Sequence, residues 1–135
     1  MSIERTDAVI ARYMDGDRTV IAEHAVYTDM GSGERFEGRD AIDAMFGSFY
    51  GKAFDVKPED TRRVVGDGYA MFEASLVGRH VGAYAGVPAT GATVRIPLCV
   101  TYRIEDDEIV EARIYLAREA FLRQVTGGTP APPAA

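Results

Sequence analysis

"ATVRIPLCVTYRIEDDEIVEARIYL", residues 92–116, reads as a β-hairpin. Ala92–Ile104 and Glu108–Leu116 are rich in β-branched and aromatic residues, and the acidic triplet Glu105-Asp106-Asp107 separates them. Working back toward the N-terminus, Tyr69–Arg79 is a third strand beyond the separator Gly86–Gly91. Val56–Val65 is a fourth, beyond Gly66-Asp67-Gly68. Separators this short make sequential strands antiparallel, so the four are predicted to form a meander.

The texture before Gly51 is helical. Ile3, Asp7, Ile10 and Met14 recur at helical spacing with Val9 and Tyr13 as a second row, which predicts a helix over 3–15 ending at Gly16. Asp17 can cap a short second helix running to about His24. Ala25–Asp29 reads as a short strand closed by the turn Gly31-Ser32-Gly33. From Arg39 to Tyr50, the residues Ile42, Met45, Phe46 and Phe49 fall at i, i+3, i+4 and i+7, a third helix. Three helices followed by a curved sheet bury both apolar surfaces when the sheet wraps over the helices, and the concavity left between them suits a ligand.

Composition narrows the partners. The formal charge is −6 and Arg62-Arg63 is the only adjacent basic pair, which disfavours nucleic acid. No apolar run approaches the ~20 residues that span a bilayer, so no membrane contact is expected. Met1 to Arg12 is polar and charged, unlike a secretory signal, and Cys99 is the only cysteine. A reducing, cytoplasmic setting is the expectation. Residues 127–135 contain only Gly, Pro, Ala and Thr, and read as a disordered tail after a domain spanning 1–126. No His/Cys/Asp/Glu group has metal-ligand spacing and no glycine-rich phosphate loop precedes a helix, so no cofactor and no metal are expected.

Two stretches resemble known families. "AVYTDMGSGERFEGRDAIDAMF" (25–46) resembles ketosteroid isomerases, and "GRHVGAYAGVPATGATVRIP" (78–97) is similar to the "GxHxG…GxPATG" hairpin of SnoaL-like polyketide cyclases, both within the nuclear transport factor 2-like superfamily. "DDEIVEARIYLAREAFLRQV" (106–125) resembles the closing strand and short C-terminal helix of the same families. The resemblance implies an α+β fold: a cone-shaped barrel of strongly curved, mostly antiparallel sheet wrapped around three N-terminal helices, with a deep apolar pocket. It also implies a homodimer through the outer sheet face, for which Ala70, Phe72, Ala74 and Leu76 supply apolar residues.

By that resemblance Asp29 falls on the catalytic-base aspartate. A carboxylate facing an apolar cavity can take a proton from carbon beside a carbonyl, with burial raising its pKa toward the working range. The plainer alternative is a turn-capping aspartate before Gly31-Ser32-Gly33. Tyr13 matches the oxyanion tyrosine of an "RY" dipeptide, although the interval to Asp29 is about one helical turn short. Cys99 falls where ketosteroid isomerases carry a second oxyanion donor, a neutral carboxylic acid. A thiol donates weakly, and loss of a good oxyanion donor costs ~10²–10³ in rate. Thr101 and Arg103 share the Cys99 face. Arg103 could hold an enolate oxygen there, or pair with Glu105 at the rim.

Glu73, mid-strand in "YAMFEASLV", aligns with pocket-facing positions and is either a second acid/base or an ion-pair partner of Arg95, Arg103 or Arg113 across the sheet. Ile114 and Ala117 stand where cyclases and epoxide-hydrolase-like relatives carry an essential acid, which leaves any cyclase chemistry to Asp29 or Glu73. His80 lines the pocket mouth or lies on the hairpin surface, and Phe46, Phe49 and Tyr27 are expected in the cavity lining. The expected activity is cofactor-free proton transfer, isomerisation or cyclisation, on a hydrophobic ketone, polyketide or polyether. The alternatives are an epoxide hydrolase or pyran-forming cyclase using two carboxylates, and a non-catalytic binding or assembly protein.

Overall fold

Ser2 starts the first helix, α1 (Ile3–Met14), by accepting a hydrogen bond from the Arg5 amide at 3.1 Å, in a computed structural model that describes residues 1–126. Glu4 in its first turn and Arg12 in its last complement the helix dipole. Thr6, Val9 and Ile10 form the buried stripe. Thr6 Oγ1 also accepts from the Gly68 amide at 2.8 Å, which pins the helix to a turn of the sheet. The expected tail, 127–135, lies outside the described residues.

Asp17 does cap the next segment, but that segment is one 3₁₀ turn, Arg18–Val20, and not a helix reaching His24. Thr19-Val20-Ile21 is a β-branched run, stiff at χ1 and better suited to a strand. Strand β1 therefore starts early, spanning Ile21–Asp29, with His24 exposed upon it. A short β2 (Arg35–Glu37), not anticipated from sequence, pairs back on β1 before α2 (Arg39–Phe49). The meander is present as expected: β3 (Phe54–Val65), β4 (Tyr69–His80), β5 (Thr93–Glu105) and β6 (Glu108–Leu116). The third helix, α3 (Arg118–Val125), lies after the sheet, so α1, a single 3₁₀ turn and α2 precede the meander where three helices were expected.

The six strands run β2-β1-β6-β5-β4-β3, with β1 parallel to β6 and every other pair antiparallel. The edge strands β2 and β3 do not pair, so the α+β sheet curls without closing. No helix among the described residues is long and apolar enough to cross a membrane.

Strand alternation assigns the faces. On β5 the even-numbered residues Val94, Ile96, Leu98, Val100, Tyr102 and Ile104 are buried, while Cys99, Thr101 and Arg103 stand on the outer face. Register carries that assignment across: Phe72, Val100, Ile114 and Asp29 form one inward row, and Glu73, Cys99 and Tyr115 one outward row. Ala70, Phe72, Ala74 and Leu76 thus belong to the interior, and the homodimer expectation loses the apolar stripe on which it rested.

Backbone packing leaves a sharp test. A Cβ at Gly78, which pairs with Val56, would drive into the backbone oxygen of Asp55, whereas one at Gly47 on the exposed side of α2 meets nothing within 4 Å. Gly78→Ala is predicted to destabilise by about 1–3 kcal/mol, and Gly47→Ala to stabilise by about 0.5–1 kcal/mol through helix propensity. Urea midpoints check both. A Gly78→Ala protein as stable as the parent would contradict the β3–β4 approach.

Candidate active site

The inward faces of the sheet, α1 and α2 enclose a cavity of about 880 Å³, large enough for a drug-sized ligand. Its walls are apolar, with Phe46 and Phe49 from α2, Phe72 from β4, Val100 from β5 and Ile114 from β6. Most of the polar and charged groups that reach it fall in two clusters, one of tyrosines at depth and one around Asp29 near the rim.

Tyr13, on the inner face of α1, accepts a hydrogen bond from the Tyr27 hydroxyl at 2.9 Å, and its ring meets Tyr102 edge-on with centroids 5.4 Å apart. Burial lifts the Tyr13 phenol to about 12, against which hydrogen bonds from Tyr27 and Tyr102 pull it back. The phenols of Tyr27 and Tyr102 are pushed well above the usual range, chiefly by burial. The Tyr13 oxygen receives the Tyr27 proton, which leaves the Tyr13 O–H to donate into the cavity.

Asp29 ends β1 two residues after Tyr27, on the same sheet face and about 6.6 Å farther along the strand. Its geometry combines a turn cap with a cavity-facing carboxylate. Oδ1 accepts from the Gly31 and Ser32 amides at 2.9 and 3.3 Å, the capping role, while the side chain lines the cavity and is only 18% exposed. Oδ2 accepts from Arg118 Nη2 at 3.2 Å. Arg118 opens α3 and lies over the Tyr84 ring, 5.8 Å from its centroid. Burial raises the Tyr84 phenol and Arg118 opposes that rise. The exposed Glu34 completes this rim cluster.

The other sequence candidates divide cleanly. Tyr27, Phe46, Phe49 and Ile114 line the cavity with Tyr13 and Asp29. Glu73 does not: it is exposed on the outer face, 3.8 Å from Arg62, because odd-numbered residues of β4 point away from the helices. Cys99 and Thr101 lie on that same face, and burial with the nearby Glu73 charge raises the Cys99 thiol. Arg103 pairs with Glu105 at 2.6 Å, the rim reading and not the oxyanion one. His80 is neither at the mouth nor on the surface. It is fully buried between Phe54 and Phe121, its Nδ1 2.9 Å from Thr90 Oγ1. Tyr102, Tyr84 and Arg118 were missed. The even-numbered apolar run of β5 pointed to Tyr102; nothing local marks Tyr84 or Arg118.

A curled sheet over helices with a polar-floored apolar hollow defines a small-molecule pocket protein of the cone architecture. The sequence matches the SnoaL-like polyketide cyclase family over residues 3–125, and the chain belongs to that family. The fold recurs in a protein from Jannaschia sp. CCS1 provisionally described as a SnoaL-like polyketide cyclase, with 20% identity, TM-score 0.77, and 96% of this chain and 94% of that one covered. A provisionally described polyketide cyclase from Silicibacter sp. TM1040 gives 17% identity, TM-score 0.79 and 93% and 98% coverage. TsrD from Streptomyces laurentii gives 19%, 0.74, and 93% and 97%. These structures share the fold. The curated sequences give no match.

The tyrosine cluster makes stability pH-dependent. All three phenols hold their protons more tightly in the folded protein than in the unfolded chain, where the usual value is 10. Their contribution is complete below pH 10 and drains away as pH rises toward and past 12, since there the unfolded state sheds protons the folded state keeps. Unfolding free energy is predicted to fall by up to about 1.4 kcal/mol per pH unit for each phenol above pH 10. Urea melts across that range check this, and Tyr102→Phe should make the fall shallower by one phenol's share.

Proposed function

We propose that this chain is a cofactor-free acid/base enzyme that moves a proton on a hydrophobic ketone or polyketide intermediate, leading to isomerisation or ring closure. Family membership supports a polyketide-cyclase type of function. The single observation that carries the finer reading is that β1 presents Tyr27 and Asp29 on one face, so a carboxylate and a hydroxyl cluster headed by Tyr13 line the same apolar cavity.

Asp29 is the base. It takes a proton from carbon beside the substrate carbonyl, and the electron pair moves onto the carbonyl oxygen as an enolate. Tyr13 donates its hydroxyl hydrogen bond to that oxygen, and with its phenol lifted to about 12 it remains a donor at neutral pH. Asp29 then returns the proton to another carbon; or the enolate carbon attacks a second carbonyl and closes a ring, the C=O electron pair moves onto its oxygen, and that alkoxide takes the proton back from Asp29. The apolar walls exclude water that would compete for the proton. The two-carboxylate chemistry expected of Asp29 with Glu73 has no support, because Glu73 lies on the opposite face of the sheet.

One observation favours a second reading, binding without turnover: three donors already converge on Asp29, and Ile114 and Ala117 supply no further acid. Hydrogen–deuterium exchange separates the two. The protein is expected to accelerate exchange of the α-protons of β-tetralone, followed by NMR in D₂O. Asp29→Asn keeps an oxygen for the Gly31 amide and should lower that rate by roughly 10²–10⁴-fold; Tyr13→Phe should lower it by about 10²–10³-fold. Rates within a few-fold of the parent would end the catalytic reading.

A further inference from the structure

Arg118 is the cation of the cavity rim, and its donors are only partly used. A guanidinium carries five N–H groups. The structure gives Nη2 to Asp29 at 3.2 Å, while Nε is buried with no partner among the described residues. That Nε is closed to solvent, so the donors Arg118 can offer a ligand are its terminal ones: the side chain is 32% exposed and lines the cavity.

Register places its neighbours. Tyr27, Ala112 and Tyr102 lie in one row across the sheet, and Asp29, Ile114 and Val100 in the next. Leu116 and Leu98 form the row after that, where β6 ends; Arg118 follows as the first residue of α3, outside the sheet register, and its guanidinium reaches Asp29 Oδ2 at 3.2 Å. Along the strand direction Asp29 therefore stands between the tyrosines and the arginine. The lone pairs of Asp29 agree with this placement. A carboxylate has about four acceptor sites; the Gly31 and Ser32 amides fill those of Oδ1 and Arg118 fills one on Oδ2. The open site is on Oδ2, beside Arg118.

We propose that Arg118 is a catalytic residue of this site: its guanidinium binds a second substrate oxygen, on the far side of Asp29 from the Tyr13 hydroxyl, and the substrate is a neutral, hydrophobic β-dicarbonyl compound. The inference rests on the acid/base reading above. In the step, the C–H bond between the two carbonyls breaks, the proton goes to Asp29 Oδ2, and the electron pair spreads over both oxygens as an enolate. The negative charge passes from one partner of Arg118 to another, so the rim's total charge does not change. Among the described residues, Asp29 and Glu34 already outnumber the one cation there, which selects against a substrate that arrives as an anion.

Two probes of one skeleton test this: dibenzoylmethane, with two carbonyls, and dihydrochalcone, with one. Calorimetric titration is expected to show Arg118→Gln weakening dibenzoylmethane by about tenfold or more while leaving dihydrochalcone within about twofold. Tyr13→Phe should weaken both. Equal effects of Arg118→Gln on the two probes would overturn the role of Arg118 and leave the Tyr13 reading standing. Insensitivity of both probes to Tyr13→Phe, or no binding of either to the parent protein, would remove the reading beneath it and the inference with it. A readout in the parent protein avoids any folding defect of the variant. The Arg118 Nη–H NMR signals should shift on adding dibenzoylmethane and stay in place with dihydrochalcone, and signals unmoved by both overturn the proposal.

Discussion

Side chains alternate across a strand, and in this protein that alternation decides which residues meet. The pairing of Asp29 with Ile114, and of Ile114 with Val100, ties β1, β6 and β5 into one inward row. A one-residue slip of β5 would exchange Val100 for Cys99, and one of β4 would exchange Phe72 for Glu73, putting a thiol or a carboxylate into the core. The burial of Ile96, Val100, Tyr102 and Ile104 holds the register, since each would otherwise face water. The cavity, its tyrosine floor and its acid all result from that one choice of face.

The same choice explains what could be read in advance. The meander, α1 and α2 were legible because apolar periodicity and short glycine or acidic separators are local signals. The parity of β5 was equally legible: Val94, Ile96, Leu98, Val100, Tyr102 and Ile104 are all apolar or aromatic, and the odd positions include Arg95, Thr101 and Arg103. Placing Cys99 by family resemblance overrode that pattern, and Thr101, Arg103 and Glu73 went to the wrong side with it. On β6 the period and the resemblance agreed, and Ile114 lines the cavity.

Other features were not local. The Arg118–Asp29 pair joins residues 89 apart, and no spacing rule connects them. His80 reads as a surface histidine because it ends a strand beside glycines, yet the loop after it folds back so that Thr90 and the rings of Phe54 and Phe121 enclose it. β2 is three residues long and exists only because β1 offers an edge. Asp29 shows how one residue answers two local rules: the amides of Gly31 and Ser32 fix its rotamer as a turn cap, and that fixed rotamer keeps its second oxygen at the cavity. The turn thereby preorganises the acid, which costs no further ordering when a ligand arrives.

All of this requires that a small apolar molecule enter the hollow on the Asp29 side of the sheet. Isotope-filtered NOE spectra of β-naphthol with the methyl-labelled protein test it most directly. Contacts to the methyls of Val100, Ile114 and Leu116, with none to Val64, Val77 or Thr101, are the predicted result. Contacts confined to Val64, Val77 or Thr101 would mean that the ligand rides on the outer face, and would contradict the account.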